Sequence, residues 1–385
     1  MRAIAVNAFR ATPELVELPK PEPGAGELRV RVEYAALNPC DWQTVPASAE
    51  TPGSCLDTPG SPGTPGTASP GRPADAPVAA PALPLVVGVD FAGWVDKIGS
   101  GPNRFRVGDQ VFGRTTPVPG TSADARMDTE SGAGTGTGTG AEATGTNGGA
   151  RKGNGLRTGA GVGPAVTGTY CDYMTVSQDS AVTLVPSGLP LKVAAALPSA
   201  GMAAAQILET VALRGHESLL VIGAAGGVGC CLTQLAAARD VRVIAAVRGD
   251  ERGRMAALGA AATVDTLARP LEEAIREVCP DGVDALVDLV STTPDAFTAR
   301  AAPVRVGGIA LTTRGVAAKA ALPIGVTGID FRLEPTPVLL DVLAAGVVEG
   351  VLRVPIDVEL PLERAPQALD RNRAGGARGK TVIAL

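Results

Sequence analysis

The sequence predicts an α/β protein in which a doubly wound parallel sheet accompanies a second, β-rich domain. Three observations carry this. Leu219-Leu220-Val221-Ile222 reads as a buried parallel strand and the run after Gly229 as a helix, joined by Gly223-Ala224-Ala225-Gly226-Gly227-Val228-Gly229. After that turn, apolar strands and helical stretches alternate, the order that builds a parallel sheet with helices on both faces. Near the N-terminus, Glu27 to Tyr34 alternates with period two, as half-buried strands do.

The elements follow in chain order. Arg2 to Val6 is a candidate strand, and the Pro/Gly cluster from Pro19 to Gly26 turns the chain into the strand Glu27–Tyr34. Residues 46–82 change character: eight prolines and five glycines fall between Thr51 and Pro81, with almost no large apolar side chains. Such a stretch buries too little surface to offset its ordering entropy and is expected to be a loosely ordered insertion. Two short strands then flank Gly88, and Phe105 to Gly113 makes a turn and another strand. A second low-complexity insertion is expected over about 115–167, including the Thr-Gly repeat from Thr135 to Gly140. Order resumes at Gly168, and the Ala-rich stretch Leu191–Leu213 reads as a helix.

Beyond the glycine turn, the expected elements are a helix to Ala238, the strand Val241–Val247 and the helix Arg252–Leu258, stopped by Gly259. A strand near Ala262–Asp265, a helix from about 270 to 278 and strands at Ala285–Val290 and Gly308–Thr313 complete the alternation. The terminal strand Lys380–Leu385 is placed to rejoin the N-terminal β-rich part.

With 385 residues the chain has room for two cores. A net charge of −5 argues against a nucleic-acid surface, and a single histidine leaves little for imidazole chemistry. The six cysteines show no C-x-x-C spacing and read as reduced thiols. The N-terminus enters a strand pattern without a signal-peptide core, and no apolar run approaches a membrane span, so a soluble cytoplasmic protein is expected.

Glycine in the turn allows tight backbone and close approach of a ligand, while the helix N-terminus offers free N–H groups to a pyrophosphate. Gly223 through Gly229 are therefore candidate cofactor contacts. A site for NAD usually carries an acid at the end of the second strand to hold the ribose hydroxyls. Here Val247 is followed by Arg248, with Arg252 and Arg254 close behind. A guanidinium suits a 2′-phosphate, so NADPH is the expected cofactor, although Asp250 and Glu251 stand in the same turn.

Several segments together resemble the medium-chain dehydrogenase/reductase superfamily, in its zinc-free quinone oxidoreductase branch. They are Ala36-Leu37-Asn38-Pro39-Cys40-Asp41, Gly88-Val89-Asp90-Phe91-Ala92-Gly93, Val107 to Val111, Gly168 to Tyr173, Ala194 to Pro198, the glycine turn, and Gly379 to Ile383. The resemblance implies a GroES-like catalytic domain built from both chain ends, a Rossmann domain between them and a homodimer. Its domain boundaries would be 1–190, 191–345 and 346–385. It also adds Thr312 and Lys380 to the expected cofactor contacts.

Zinc-dependent members carry cysteine where Asn38 stands and Gly-His-Glu where Gly88-Val89-Asp90 stands. Asparagine and valine do not ligate zinc, so no metal is expected. The resemblance places Tyr34, Asn38, Cys40, Asp41, Trp42, Tyr170 and Tyr173 near the cleft. For Asn38 two roles are open: bonding the nicotinamide amide or a substrate oxygen, or holding the turn before Pro39. Asp41 reads as a structural or orienting carboxylate rather than a general acid. Cys40 is either a packing residue or a proton donor or reactive thiol, and Tyr170 or Tyr173 either protonates an enolate or packs in the core.

Without zinc, the implied chemistry is hydride transfer to a quinone or an α,β-unsaturated carbonyl. After Asp41 the sequence departs from the zinc-free pattern, with Trp42-Gln43-Thr44-Val45-Pro46 in place of the usual pocket wall. That keeps a tailoring enzyme of secondary metabolism in view. The lack of an unambiguous proton donor keeps a non-catalytic NADPH-binding module, and the fold alone does not exclude redox-neutral chemistry.

Overall fold

The computed structural model describes residues 1–8, 11–41, 83–115 and 168–385. The chain begins with β1 (Arg2–Val6), β2 (Glu14–Glu17) and β3 (Glu27–Ala36), followed by β4 (Leu85–Val86), β5 (Asp90–Ile98) and β6 (Gln110–Arg114). β7 (Tyr173–Ser177) and β8 (Ala181–Leu184) lead into α1 (Leu191–Ala196) and α2 (Pro198–Val211). Next come β9 (Ser218–Ile222), α3 (Gly227–Ala237), β10 (Arg242–Val247), α4 (Arg252–Ala257), β11 (Ala262–Asp265) and α5 (Leu271–Val278). β12 (Val283–Asp288), α6 (Pro294–Ala301), β13 (Val304–Thr312), β14 (Thr327–Asp330) and α7 (Pro337–Val348) follow. The chain closes with β15 (Ile356–Pro361), α8 (Ala365–Ala374) and β16 (Lys380–Ala384).

The expected insertion at 46–82 lies outside the described residues, as does the one at 115–167 except for Thr115. Thr115 continues the sheet, its N–H donating to Val89 O at 2.8 Å. Trp42 and Cys55 also lie outside the described residues.

Six parallel strands run in the order β11-β10-β9-β12-β13-β14. Every residue of β9 is buried, because helices cover both faces of the sheet and no strand face meets water. The order reverses between β9 and β12, which opens the crevice beyond their carboxyl ends where α/β sheets bind ligands.

The other large sheet runs β15-β16-β3-β5-β6-β8, with β7 also on β3. Here the expected return of the C-terminus is observed: Val382, Ile383 and Ala384 pair antiparallel with Ala36, Ala35 and Tyr34. The fold is thus a GroES-like β-rich unit joined to a Rossmann-like parallel-sheet unit. One expected helix is divided. Leu191–Leu213 forms two helices that break at Leu197, because Pro198 lacks an N–H and occupies the first turn of α2.

Candidate active site

The glycine turn connects β9 to α3 and needs glycine at identifiable places. Gly223 has φ +83°, in the left-handed region. A Cβ on Gly229 would lie 2.5 Å from Gly223 O and 2.6 Å from Ala224 Cα, so only glycine lets the turn fold back this tightly. Gly226 caps α3 without a side-chain acceptor, which leaves the first N–H groups of the helix for a ligand. Ala225 and Val228 are half-buried, while Ala224 is buried beneath.

At the end of β10, Arg248 and Arg252 are exposed and hold no ion pair among the described residues. Arg248 lies against the C-terminal return, its Nη1 3.7 Å from where a Cβ on Gly375 would stand. Asp265 fixes this turn by accepting the Gly249 N–H at 2.8 Å. Glu251 points inward. Its side chain is 4% exposed and bonds Arg254 Nε at 2.6 Å and the Arg378 guanidinium. Burial works to raise the Glu251 carboxyl, but these two arginines outweigh it and hold the group below the usual carboxylate range. Arg254 also reaches Ala225 O at 3.3 Å, tying α4 to the glycine turn.

The turn after β3 carries the second half of the site. Asn38 Nδ2 donates to Asp90 Oδ2 at 2.9 Å and to Ala36 O at 3.2 Å, and Asn38 Oδ1 accepts from Lys380 Nζ at 2.7 Å. The same ammonium donates to Leu37 O at 2.9 Å and lies 3.6 Å from Asp90 Oδ2. Asp90 in turn accepts from the Ser199 N–H at 3.2 Å and from Ser199 Oγ at 2.6 Å. Arg114 Nε donates to that hydroxyl at 3.0 Å. Four elements distant in sequence, β3, β5, α2 and β16, therefore meet on one buried carboxylate.

Asp41 sits below this network. Its Oδ2 accepts from the Asn38 N–H and from the Tyr170 hydroxyl, each at 2.7 Å. Burial pushes the Asp41 carboxyl up to about 7, and the nearby Asp90 adds to the rise. The Asn38 N–H, the Tyr170 hydroxyl and the Lys380 charge oppose it. Burial and the Asp41 carboxyl drive the Tyr170 hydroxyl well above the ordinary phenol range.

Residues 24–187 match the alcohol dehydrogenase GroES-like domain, and residues 258–383 match the zinc-binding dehydrogenase domain. The rat quinone oxidoreductase is 26% identical over 318 residues, covering 79% of this chain and 81% of that protein. The Pseudomonas aeruginosa quinone oxidoreductase is 27% identical over 321 residues, covering 79% and 83%. Among solved structures, the quinone oxidoreductase from Coxiella burnetii superposes with a TM-score of 0.72 at 22% identity, over 100% of this chain and 99% of that one. The chain belongs to the medium-chain dehydrogenase/reductase superfamily. It is a quinone oxidoreductase-like member, an oxidoreductase of a family that binds a nicotinamide cofactor.

Within this dehydrogenase/reductase, several expected site residues take other roles. Lys380, expected on the cofactor, has its ammonium turned inward onto Leu37 and Asn38 and is 4% exposed. Only its stem reaches the nucleotide turn, lying 2.7 Å from where a Cβ on Gly227 would be. Tyr173 is remote from the Asn38 turn. It pairs with Arg31, five residues before Ala36 and so roughly 17 Å along the strand. Its ring carries Lys20 Nζ at 3.5 Å. Tyr170 is fully buried with its hydroxyl spent on Asp41, so it does not reach an acceptor as a proton donor. Asn38 has both amide N–H groups and its oxygen engaged, which matches the turn-holding role.

Cys40 is half-buried in the turn before Asp41. Tyr34 is half-buried on β3, and Thr312 is buried at the carboxyl end of β13, its hydroxyl accepting the Arg314 N–H at 3.1 Å. Burial raises the Cys230 thiol and takes Cys231 up to about 12, so both pack α3 as neutral groups.

The described residues offer no donor set that fits a zinc ion. Among the described residues no group of three or more His, Cys, Asp or Glu could hold a metal, and the Asn38 amide is already committed. Among the described residues no helix is long and apolar enough to cross a membrane.

Asp90, Ser199, Arg114 and Arg378 were not among the expected site residues. Asp90 was legible only as a member of the Gly88-to-Gly93 motif, next to Val89, where zinc-dependent members carry histidine. Ser199 follows Pro198 at the start of a helix, and Arg378 lies 127 residues beyond Glu251; no local pattern links them.

Proposed function

We propose that this protein is an NADPH-dependent, zinc-independent reductase acting on a quinone or an α,β-unsaturated carbonyl compound. The observation that carries the reading is the withdrawal of Glu251. It is folded back onto Arg254 and Arg378, while Arg248 and Arg252 stand exposed at the end of β10. A ribose 2′-hydroxyl would meet no acid from Glu251 there, whereas a 2′-phosphate would meet guanidinium groups.

Bound NADPH supplies the hydride. The chain's own part is positional. The α3 N-terminus offers N–H groups to the pyrophosphate, and the Lys380–Asn38–Asp90 network holds the 37–41 turn rigid beside the crevice. Quinones and enones are the acceptors that need least electrophilic help, which suits a site whose donor set lacks a metal cluster among the described residues. The names of the quinone oxidoreductase relatives agree with that class, and a mycobacterial neighbour with a TM-score of 0.69 and 22% identity was solved with NADPH.

The test follows nicotinamide absorbance with NADPH and NADH in parallel, against a panel of quinones, enones and enoyl thioesters. NADPH oxidation by one acceptor class supports the reading, and preference for NADH refutes the cofactor assignment. A second reading, a non-catalytic NADPH-binding module, is favoured by the commitment of Tyr170, Asn38 and Lys380 to internal bonds. Tight NADPH binding without turnover on the whole panel would select it. The proposal includes a cytoplasmic homodimer, on the family resemblance, and light scattering at micromolar protein checks the dimer.

A further inference from the structure

One charged group of the network has donors to spare. Arg114 ends β6 directly across from Asp90 on β5, so the two side chains leave the sheet on the same face. They do not pair directly. The Ser199 hydroxyl stands between them, accepting from Arg114 Nε at 3.0 Å and donating to Asp90 Oδ1 at 2.6 Å. Asp90 is meanwhile served by Lys380, Asn38 and the Ser199 N–H. Arg114 is half-buried, and its Nη1 and Nη2 groups have no hydrogen bond or ion pair among the described residues.

Three facts follow from this arrangement. The guanidinium is held by its Nε, so its outer edge, with two parallel Nη groups, is presented in a fixed plane. That edge matches a carboxylate, which takes two N–H bonds side by side. The charge also has no carboxylate in direct contact among the described residues: Asp90 is paired with Lys380, and Arg114 reaches it only through Ser199. Finally, the network borders the nucleotide turn. Ala200, the neighbour of Ser199, has its Cβ 3.6 Å from where a Cβ on Gly227 would stand, at the start of the nucleotide helix. A half-buried cation with no anion in contact among the described residues favours a ligand that carries one.

We propose that Arg114 is the specificity-determining residue for the acceptor, and that the natural acceptor is an electron-poor unsaturated acid whose carboxylate docks on the Arg114 Nη edge. This rests on the reductase reading above and narrows it to anionic acceptors. Ser199 and Asp90 act as positioning residues that aim the guanidinium.

The test compares benzalacetone bearing a para-carboxylate with its para-carboxamide isostere on the full chain with saturating NADPH. Both turnover and calorimetric binding are measured. Wild type favours the acid by about tenfold or more in kcat/KM, as expected for charge-assisted hydrogen bonds. Arg114→Gln reduces that acid-to-amide ratio to about one. Arg114→Lys restores part of it, because it returns the charge without the fork. Ser199→Ala, which frees Nε, lowers the ratio several-fold.

Equal kcat/KM for acid and amide in wild type overturns the proposal. So does a tenfold loss of NADPH affinity in Arg114→Gln with the ratio intact, which would assign the guanidinium to the cofactor. If neither compound oxidises NADPH, binding decides. Acid bound tighter than amide in wild type but not in Arg114→Gln keeps the carboxylate site while the reductase reading falls. Equal or absent binding removes the site.

Discussion

Asp41 offers the sharpest test of the buried network. Burial lifts its carboxyl to about 7 in the folded chain, whereas an unfolded aspartate titrates near ~3.9. The folded state therefore holds a proton that the unfolded state has lost throughout that interval. Stability from this group is full below ~3.9, falls as pH rises at about 1.4 kcal/mol per unit, and levels off above 7. Between pH 5 and 7 the loss amounts to roughly 2 kcal/mol, allowing for the rounding of the curve near the folded value.

Asp41→Asn removes the titration while keeping an oxygen that accepts from Asn38 N and Tyr170 Oη. The assay is denaturant unfolding of wild type and variant at several pH values from 5 to 8. Any constant cost of the amide cancels in the pH dependence. Wild type is expected to lose about 2 kcal/mol more than the variant between pH 5 and 7. Parallel curves would refute the reasoning, since Asp41 would then ionise alike in both states. A wild type that gains stability relative to the variant as pH rises would refute it more strongly, by showing that Tyr170 and Lys380 outweigh burial.

Four further outcomes are expected. Arg248→Ala weakens NADPH by about 1.5–3 kcal/mol and leaves NADH nearly unchanged, as read by nucleotide fluorescence titration; equal losses would remove Arg248 from the 2′-phosphate. Lys380→Met strips Asp90 and Asn38 Oδ1 of their buried cation, and chemical denaturation should show a loss of about 3–5 kcal/mol. Gly229→Ala forces a methyl against Gly223 O and Ala224, so calorimetry should find nucleotide binding lost and stability lowered by about 1–3 kcal/mol. Tyr173→Leu removes only the Lys20–ring contact, costs at most about 1 kcal/mol and leaves kcat/KM unchanged.

The parallel-sheet domain was legible in the sequence because its signals are local. Apolar strands, a glycine turn that tolerates no Cβ at Gly229 and the opening of a helix follow within about twenty residues, and each is dictated by neighbours in the chain. The arginine at the end of the second strand was legible for the same reason. The break at Leu197 could have been read from Pro198, which an Ala-rich helical stretch masked.

Tertiary structure alone decided what the polar residues do. Nothing near Lys380 in sequence says that its ammonium caps the turn after β3, since its partners Leu37 and Asn38 are more than 340 residues away. Glu251 looked like an acid beside the ribose site until Arg378, brought back by the C-terminal strand, folded it inward. Tyr170 and Tyr173 are three residues apart, yet one is sealed against Asp41 and the other lies under Lys20. The physical reason is common to all three. Backbone conformation follows from short-range sterics and periodicity, whereas a buried charge or hydroxyl takes its role from whichever distant partner satisfies it.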